Sequence, residues 1–461
     1  MTTTLVVDGA IARQLIESLA DPLECAAVLL AREVETGWGT KLLARSLHPV
    51  PTNAYRERTC ESMAISSDGY IEALGHAASD GSIAIWVHTH PGKGASPLPS
   101  SLDHEVDRNL AETFRNRSGS ETYATLILSP REEGFAFSGT VQPNHQPVRA
   151  IDRMWVSGET WTLRHAVTLE RPAPDPIFDR NVRAFGPAIQ GVIGDLRVAI
   201  AGAGGTGSAI AEQLVRLGVR KLLLVDADCL SLSNVTRVYG STPADVGRPK
   251  VEVLRDHLMR IAPDLDCEVL ARMGTLKSAV RAMAAADLVL GCTDDNAGRL
   301  ALARLSTYFL LPVIDLGVLI SSDATGKIQG IDGRVTTMLP GTACLVCRDR
   351  IDLARAGAEL RTPEERRRLA DEGYAPALGQ TEPTVVAFTS AVAAAAVNEL
   401  LDRLIGYGPL DRPTETLLRL HEREMSTNLA APREHHYCHP AQGKWGAGGE
   451  EPFLGQLWPA E

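Results

Sequence analysis

The sequence predicts an α/β protein in which two domains are joined by a short connector. In the second half, the apolar run Val198–Ala201 enters a glycine cluster, a helical stretch covers Ser208–Leu217, and Lys221–Val225 is again apolar. That succession is typical of a β-α-β unit. In the first half, helical stretches alternate with short apolar runs that are bounded by polar or breaker residues, as at Ala26–Leu30, Ile83–Val87 and Ala124–Leu128.

Proline placement and composition suggest the boundaries between these parts. Charged residues and Pro172, Pro174 and Pro176 fall within Glu159–Asp179, a composition that suits an extended connector. We therefore expect a first domain over residues 1–150, a linker over 151–178 and a second domain over 179–441. The tail over 442–461 is rich in Gly, Pro and Trp and is expected to be irregular.

Charge and hydropathy exclude several classes of function. The 461 residues include 46 Lys and Arg against 57 Asp and Glu, a net charge of −11, which disfavours general binding to nucleic acid or to anionic membranes. No stretch approaches the roughly 18 apolar residues of a membrane span, and the N-terminus shows no secretory signal. We therefore expect a cytoplasmic protein whose eight cysteines are thiols or metal ligands.

A candidate metal site follows the apolar run that ends at Val87. His88 and His90 are spaced i and i+2, so on a strand they point to the same face and can bind one metal ion. Asp103 adds an oxygen ligand thirteen residues later, which leaves a fourth position of zinc open for water. Glu24, before Cys25–Leu30, is a candidate general base, and Ser100 is a candidate donor to an oxyanion.

Together these residues resemble the JAMM (MPN-plus) metalloprotease family, whose signature is an upstream Glu, then H-x-H-P, then S-x-x-D. Its members cleave ubiquitin-like modifiers from their targets or trim the tails of the modifiers. The resemblance implies that His88, His90 and Asp103 bind catalytic zinc, with Glu24 as general acid/base and Ser100 as oxyanion donor. This sequence has nine residues between His90 and Ser100, about two more than is usual, and Ala26 and Ala27 stand where glycines often follow the Glu.

A second candidate site begins at the glycine cluster of the β-α-β unit. Glycines at a helix N-terminus let the backbone approach a phosphate, and Asp226 ends the next strand, where a carboxylate can hold a ribose hydroxyl. Up to this point the pattern fits both NAD and ATP. The glycines of the cluster are Gly202, Gly204, Gly205 and Gly207.

The residues after Asp226 favour ATP. Arg237 and Lys250 supply positive charge, which an enzyme that attacks the α-phosphate of ATP needs and a dehydrogenase does not. Asp294 follows the apolar run Leu288–Leu290 and offers a carboxylate to Mg²⁺.

The pattern resembles the adenylation domains of ubiquitin-activating enzymes and of their ThiF-, MoeB- and HesA-type bacterial relatives. The resemblance covers roughly residues 178–440 and implies a Rossmann-like fold for the second domain. It further implies that Asp226, Asn234, Arg237, Lys250 and Asp294 contact ATP and Mg²⁺. It also implies that Arg180, in the family's entry motif, reaches the ATP of a partner subunit, as in dimeric members. We therefore expect a homodimer formed through this domain.

The cysteines near the end of the second domain suggest a structural zinc site. Cys344 and Cys347 form a C-x-x-C that follows Pro340-Gly341 rather than opening a thioredoxin-like unit. His435 and Cys438 form an H-x-x-C pair where bacterial relatives have a second C-x-x-C, which gives a Cys₃His set that zinc accepts. His436 and His439 are alternatives to His435.

The sequence lacks the cysteine that ubiquitin-activating enzymes use as a nucleophile, because no Cys occurs between Cys347 and Cys438. The other five cysteines are expected to be buried; they are Cys25, Cys60, Cys229, Cys267 and Cys292. The hypothesis is a bifunctional enzyme that processes a ubiquitin-like protein with zinc, adenylates its C-terminus with ATP and Mg²⁺, and passes it to a conjugating enzyme or sulfur donor. The alternatives are sulfur-carrier activation for thiocarboxylate formation and a scaffold with one inactive half.

Overall fold

The computed structural model describes residues 2–92, 94–132, 134–167, 173–373 and 383–449. The chain forms two compact units: unit 1 is Met1–Pro172 with Trp445–Gly449, and unit 2 is Ala173–Lys444 with Glu450–Glu461. Over the ranges that the structure describes, none of the helices has the length and apolar character needed to cross a membrane.

Unit 1 is built on one mixed sheet whose strand order is β11-β10-β1-β3-β2-β6-β7-β8-β9, with a separate hairpin of β4 and β5. Its strands are β1 (Thr3–Asp8), β2 (Ala26–Thr36), β3 (Gly39–Pro49), β4 (Tyr55–Arg58), β5 (Met63–Ile65), β6 (Ile83–Thr89), β7 (Thr122–Arg131), β8 (Gly134–Pro143), β9 (Arg149–Ala150), β10 (Arg153–Ser157) and β11 (Trp161–His165). Its helices are α1 (Gly9–Ser18), α2 (Ile71–Asp80) and α3 (Ser101–Ser118).

The alternation of side chains along the strands of unit 1 places helices on both faces of the sheet. Leu29 of β2 packs in the cluster that contains residues of α1, whereas Val28 and Leu30 pack in the cluster that contains residues of α2 and α3. Trp86 of β6 belongs to the second cluster, so His88, two residues further on, is on the α3 side of the sheet.

The linker predicted over 151–178 is wrong in its first half. Strands β10 and β11 lie there, and β10 pairs in parallel with β1 near one edge of the sheet of unit 1. Trp155 and Trp161 are buried in these strands, with their ring centroids 6.1 Å apart. The two buried tryptophans make this stretch part of the core of unit 1, and the prolines come only after it. Pro172 lies outside the described residues.

Unit 2 contains the predicted β-α-β unit and continues with further strands and helices. Its strands are β12 (Arg197–Ala201), β13 (Lys221–Val225), β14 (Asp266–Leu270), β15 (Leu288–Gly291), β16 (Val313–Ser322), β17 (Ile328–Met338), β18 (Glu415–Arg419) and β19 (Glu424–Asn428). Its helices are α4 (Asp179–Asp195), α5 (Gly205–Leu217), α6 (Lys250–Ile261), α7 (Lys277–Ala284), α8 (Asn296–Tyr308), α9 (Leu353–Glu359), α10 (Pro363–Asp371) and α11 (Val386–Ile405).

The sheet of unit 2 has the order β14-β13-β12-β15-β16-β17-β18-β19. Strands β14, β13, β12, β15 and β16 are parallel, and the last three pair antiparallel. After β12 the chain adds β13 and β14 on one side of that strand, and it then adds β15 on the other side. In such sheets ligands bind at this switch point, beyond the carboxyl ends of the strands.

Close backbone approach shapes the loop between β12 and α5. Gly202 has φ +98°, and a Cβ there would lie 2.6 Å from the carbonyl oxygen of Cys292, in the chain that follows β15. A Cβ on Gly207 would overlap the carbonyl oxygen of Gly202. Both positions therefore require glycine, which brings the N-terminus of α5 against the ends of β12 and β15.

We predict that Gly207→Ala destabilises unit 2 by about 1–3 kcal/mol, because the new methyl group must displace backbone. Differential scanning calorimetry of the full chain measures this loss. The matched control is Gly204→Ala, since Gly204 has φ −75° and a Cβ there would meet nothing within 4 Å. Equal unfolding temperatures for the two variants would contradict the account of the loop.

Candidate functional site

Strand pairing and the start of a helix bring the candidate metal ligands of unit 1 together. Thr89 donates its backbone N–H to Cys25 O at 2.9 Å, and its Oγ1 accepts from Cys25 N at 2.9 Å. This pairing holds the start of β2 beside the end of β6, where His88 and His90 lie. Asp103, in the first turn of α3, reaches the same point.

The distances between the three side chains fit a metal ion with tetrahedral geometry. His88 Nε2 lies 3.3 Å from His90 Nε2 and 3.2 Å from Asp103 Oδ1. His90 Nε2 lies 3.4 Å from Asp103 Oδ2. Ligands bound to zinc at its usual bond lengths are about 3.3–3.6 Å apart in a tetrahedron. The donor set of two imidazoles and one carboxylate therefore fits zinc.

Hydrogen bonds hold these ligands in a state that can bind a cation. His90 Nδ1 lies 2.7 Å from the carbonyl oxygen of Ser96, which can only accept, so Nδ1 donates there and Nε2 is the ring nitrogen that faces the cluster. Burial opposes ionisation of Asp103, but hydrogen bonds from His88 and His90 outweigh it and hold the pKa of Asp103 well below its usual range. Asp103 is therefore a carboxylate at neutral pH.

Glu24 lies buried next to this cluster. Its backbone is held at both ends, since its N–H donates to Thr59 O at 2.9 Å and its carbonyl accepts from Arg58 Nε at 2.7 Å. Burial raises the pKa of Glu24, and the nearby charges of His88 and His90 oppose that shift. A carboxyl group with a raised pKa beside a metal site is suited to accept and return a proton.

Ser100 is the N-cap of α3. Its Oγ accepts from Asp103 N at 3.2 Å, and its own N–H donates to Asp103 Oδ2 at 2.6 Å. This reciprocal capping fixes the first turn of α3 and the orientation of the Asp103 carboxylate. The cap uses a lone pair of the hydroxyl oxygen, so the hydroxyl proton can still be donated.

Unit 2 contains a second cluster of metal-type ligands, formed by Cys344, Cys347, His436 and Cys438. Cys344 Sγ lies 3.6 Å from His436 Nδ1, and Cys347 Sγ lies 3.6 Å from Cys438 Sγ. Sulfur and nitrogen ligands of tetrahedral zinc are about 3.6–3.8 Å apart, so this set fits a closed zinc site. The histidine differs from the one first predicted, because the structure brings His436, not His435, to the cysteines.

A cavity of about 700 Å³ opens at the carboxyl ends of the parallel strands of unit 2. The glycine loop lines it at Gly202, Gly204 and Gly205, and Asp226 follows β13 on the same rim. Ala203 donates its N–H to Asp226 Oδ2 at 2.7 Å, so this carboxylate also holds the loop in place. Burial raises the pKa of Asp226, and the charge of Lys250 opposes the shift.

Cations and carboxylates share this end of the cavity. Arg237 lies against Gly205, with its Cγ and Cδ 3.4 Å from the position of a Cβ on that glycine. Lys250 is buried and donates from Nζ to Asp228 Oδ2 at 2.6 Å. Asp294 is exposed at the end of β15 and also lines the cavity. The helix N-terminus and both cations favour an anionic ligand here.

Sequence comparison agrees with this geometry. A model of the ThiF family matches residues 178–439, more than half of the chain. The chain belongs to the ThiF family. The match spans most of the described part of unit 2, including the glycine loop, the cavity and the Cys/His cluster. We refer to residues 178–439 as the ThiF unit.

Three curated relatives align with the ThiF unit. The chain is 33% identical over 178 residues to the molybdopterin-synthase adenylyltransferase of Escherichia coli K12, covering 38% of this chain and 68% of that protein. It is 32% identical over 172 residues to ubiquitin-like modifier-activating enzyme 5 of Caenorhabditis briggsae, covering 34% and 37%. It is 32% identical over 146 residues to the sulfur carrier protein ThiS adenylyltransferase of E. coli K12, covering 32% and 54%. The chain thus spans 37% to 68% of the length of these relatives.

Three predicted nucleotide-site residues of the ThiF unit do not line the cavity. Asn234 is buried, and its Oδ1 accepts from Ser231 N at 3.0 Å, so it shapes the turn that leads to Arg237. Gly207 packs beneath the loop, for the reason given above. Arg180 is exposed in the first turn of α4. The role proposed for Arg180 needs a second copy of the chain.

The basic residues on the wall of the ThiF cavity formed by β17 and α8 were not predicted from the sequence. They lie on α8, on β17, after the C-x-x-C and on α9, far apart in sequence, and no local motif joins them. They are Arg299, Arg334, Arg350 and Arg355. Asp228 was also missed as the partner of Lys250, although its spacing of two residues from Asp226 was a visible signal.

The expectation that five cysteines are buried is wrong. Cys60 and Cys229 are exposed, and Cys25, Cys267 and Cys292 are partly buried. Cys60 lies between the strands of the β4–β5 hairpin and Cys229 in the loop after β13, where little covers a side chain. Cys292 lines the cavity of the ThiF unit, but burial raises the pKa of its thiol, which keeps it protonated and weakly nucleophilic.

We predict that His436→Ala removes one zinc ion per chain and lowers the unfolding temperature, because structural zinc contributes folding free energy. Elemental analysis and thermal unfolding measure the two effects. His435→Ala is the matched control and should keep both the zinc and the stability. Asp103→Asn should lose only the zinc of unit 1, and Cys344→Ser only that of the ThiF unit. Loss of zinc from the His435 variant alone would contradict the assignment.

Proposed function

We propose that the ThiF unit adenylates the C-terminal carboxylate of a ubiquitin-like or sulfur-carrier protein, with ATP and Mg²⁺. The observation that carries this proposal is the cavity, in which the N-terminus of α5, Arg237 and Lys250 meet the carboxylate of Asp294. The relatives named above, whose names describe such activation, support the substrate class. The products are an acyl-adenylate and pyrophosphate.

Each residue at this end of the cavity has a distinct task in that reaction. The glycine loop lets the phosphates approach the backbone N–H groups of α5. Arg237 and Lys250 offset the negative charge that grows at the α-phosphate during transfer. Asp226 orients the ribose, and Asp294 offers an oxygen ligand to Mg²⁺. Arg180 of a second copy adds positive charge in a homodimer.

The acyl group then leaves the chain for a separate acceptor. A conjugating enzyme receives it in a modifier pathway, and a sulfur donor receives it in thiocarboxylate formation. The loop that carries the nucleophilic cysteine in ubiquitin-activating enzymes has no thiol in this sequence. Residues 374–382 of that stretch lie outside the described part of the chain.

We also propose that unit 1 is a JAMM-type zinc peptidase that cleaves after the C-terminus of the same protein, at a precursor tail or an isopeptide bond. The cluster of His88, His90 and Asp103 beside buried Glu24 supports it. Zinc in this cluster would supply a Lewis acid that makes its water more acidic. Glu24 would take a proton from the attacking water and return it to the leaving amine, and Ser100 would donate a hydrogen bond to the oxyanion.

The two activities should separate by mutation, because their residues lie in different units. Glu24→Gln should abolish cleavage of a fusion to the ubiquitin-like protein that co-purifies with the chain, but keep ATP–pyrophosphate exchange. Arg237→Ala and Asp294→Ala should do the reverse. Product gels and exchange of labelled pyrophosphate measure the two. Loss of exchange in a folded Glu24→Gln variant would contradict the assignment, and absence of either activity in the unmodified chain would favour a scaffold.

We further predict that ATP and the modifier give pyrophosphate exchange without a thioester on this chain. Cys292 lines the cavity, and its raised pKa makes its thiol a poor nucleophile. Cys344, Cys347 and Cys438 are used as metal ligands. A non-reducing gel tests this, with Cys292→Ser as the control variant. A conjugate that reductant releases, mapped to any of the eight cysteines, would overturn the prediction.

A further inference from the structure

Two arginines on the wall of the ThiF cavity share one buried carboxylate. Arg334 of β17 lies with Nη2 2.6 Å from Asp315 Oδ2, and Arg299 of α8 lies with Nε 3.7 Å from Asp315 Oδ1. Asp315 is fully buried. One carboxylate therefore faces two guanidinium groups, and the trio keeps a net positive charge.

The two guanidinium groups converge on one point inside the cavity. A Cβ built on Gly317 would lie 3.4 Å from Arg334 Nη2 and 3.6 Å from Arg299 Nη2. Gly317 pairs with Arg334 in the β16–β17 register, and all three residues line the cavity. The arginine side chains are only 12% and 18% exposed. The spot above Gly317 is thus open to a ligand and flanked by two poorly hydrated cations.

The surroundings of this spot favour an anion. Burial lowers the pKa of Arg334; the charge of Asp315 opposes that shift, and the positive charges of Arg299 and Arg350 add to it. Arg350 is itself held by Glu415, at 3.0 Å. Asp332 also lies on β17, where it is paired with Leu319, and it lines the cavity. Within the described residues it forms no ion pair with Arg299 or Arg334. A carboxylate above Gly317 would gain charge-assisted hydrogen bonds from both arginines.

The sheet register gives the distance from this spot to the glycine loop. Ala201, Gly291 and Asp315 are paired across neighbouring strands, so two strand spacings, about 10 Å, separate β12 from β16. An extended chain advances about 3.3 Å per residue. If the reacting carboxylate lies at the glycine loop, the spot above Gly317 is about three residues back along the tail of the substrate.

We propose that Arg299 and Arg334 bind an acidic side chain, Asp or Glu, about three residues before the C-terminus of the protein that the ThiF unit activates. This inference rests on the proposed adenylation and defines the substrate class further. The phosphates of ATP have the helix N-terminus, Arg237 and Lys250 at the other end of the cavity. The arginine pair therefore selects the tail and takes no part in the transfer itself.

Binding of labelled hexapeptides to the full chain tests the proposal, with magnesium and a non-hydrolysable ATP analogue present. The probes end in Glu-Gly-Gly or Gln-Gly-Gly, and fluorescence anisotropy gives their affinities. The unmodified chain should bind the Glu peptide about tenfold more tightly, as expected for charge-assisted hydrogen bonds. Arg334→Gln and Arg299→Gln should remove the preference. Arg260→Gln, on the exposed end of α6, should keep it.

Further measurements distinguish the three anionic groups that the arginines could bind: the acidic side chain, the terminal carboxylate and the phosphates of ATP. A Glu-Gly-Gly peptide with an amidated C-terminus should still bind the unmodified chain more tightly than it binds the Arg334→Gln variant. If its affinity is the same for both, the arginines hold the terminal carboxylate and the proposal is wrong. Equal affinities for the Glu and Gln peptides would also overturn it. So would an equal loss of affinity for the ATP analogue in both arginine variants, since the pair would then serve the phosphates.

The test distinguishes this proposal from the proposed adenylation. Selective binding of the Glu peptide without any pyrophosphate exchange would support the acidic subsite and contradict adenylation. Pyrophosphate exchange without a preference for the Glu peptide would support adenylation and contradict the acidic subsite. If Arg334→Gln fails to fold because it leaves Asp315 without its closest partner, Arg299→Gln retains that partner and decides the question.

Discussion

The contact between the glycine loop and the chain that follows β15 is the constraint on which the ThiF unit depends. Gly202 and Gly207 have no room for a side chain, because backbone carbonyls occupy the space where a Cβ would lie. This contact brings the N-terminus of α5, the end of β13 and the end of β15 to one rim. Lys250 and Asp294 come from distant parts of the sequence, and they share a cavity because of it.

The charges in that cavity are arranged differently at its two ends. The carboxylates that follow β13 and β15 lie with Arg237 and Lys250, whereas the wall formed by β17 and α8 carries two arginines and Asp332. Burying a charge is costly unless a partner compensates it, and Asp315 and Glu415 provide that compensation from below. Because Asp315 serves two arginines, the wall stays positive. This arrangement agrees with the two proposals, a metal-bound nucleotide at one end and an acidic substrate tail at the other.

In unit 1, too, backbone contacts between different segments bring side chains together, here those of His88, His90 and Asp103. The bonds between Thr89 and Cys25 set the start of β2 against the end of β6, and the cap at Ser100 aims Asp103 at the histidines. Glu24 is then buried beside the metal ligands, which raises its pKa. Side chains that could hold a metal ion and a carboxyl group with a raised pKa thus come together although 79 residues separate Glu24 from Asp103.

The sequence by itself determined the elements whose signal is local. The glycine loop, Asp226, the H-x-H pair and the C-x-x-C were predictable because spacing on one strand, helix or loop decides where those side chains point. Strands β10 and β11, the choice of His436 over His435, and the arginines around Gly317 were decided only by the tertiary structure. Each depends on contacts between segments far apart in the chain, such as Arg299 and Arg334 with Asp315, and no short pattern records which partners will meet.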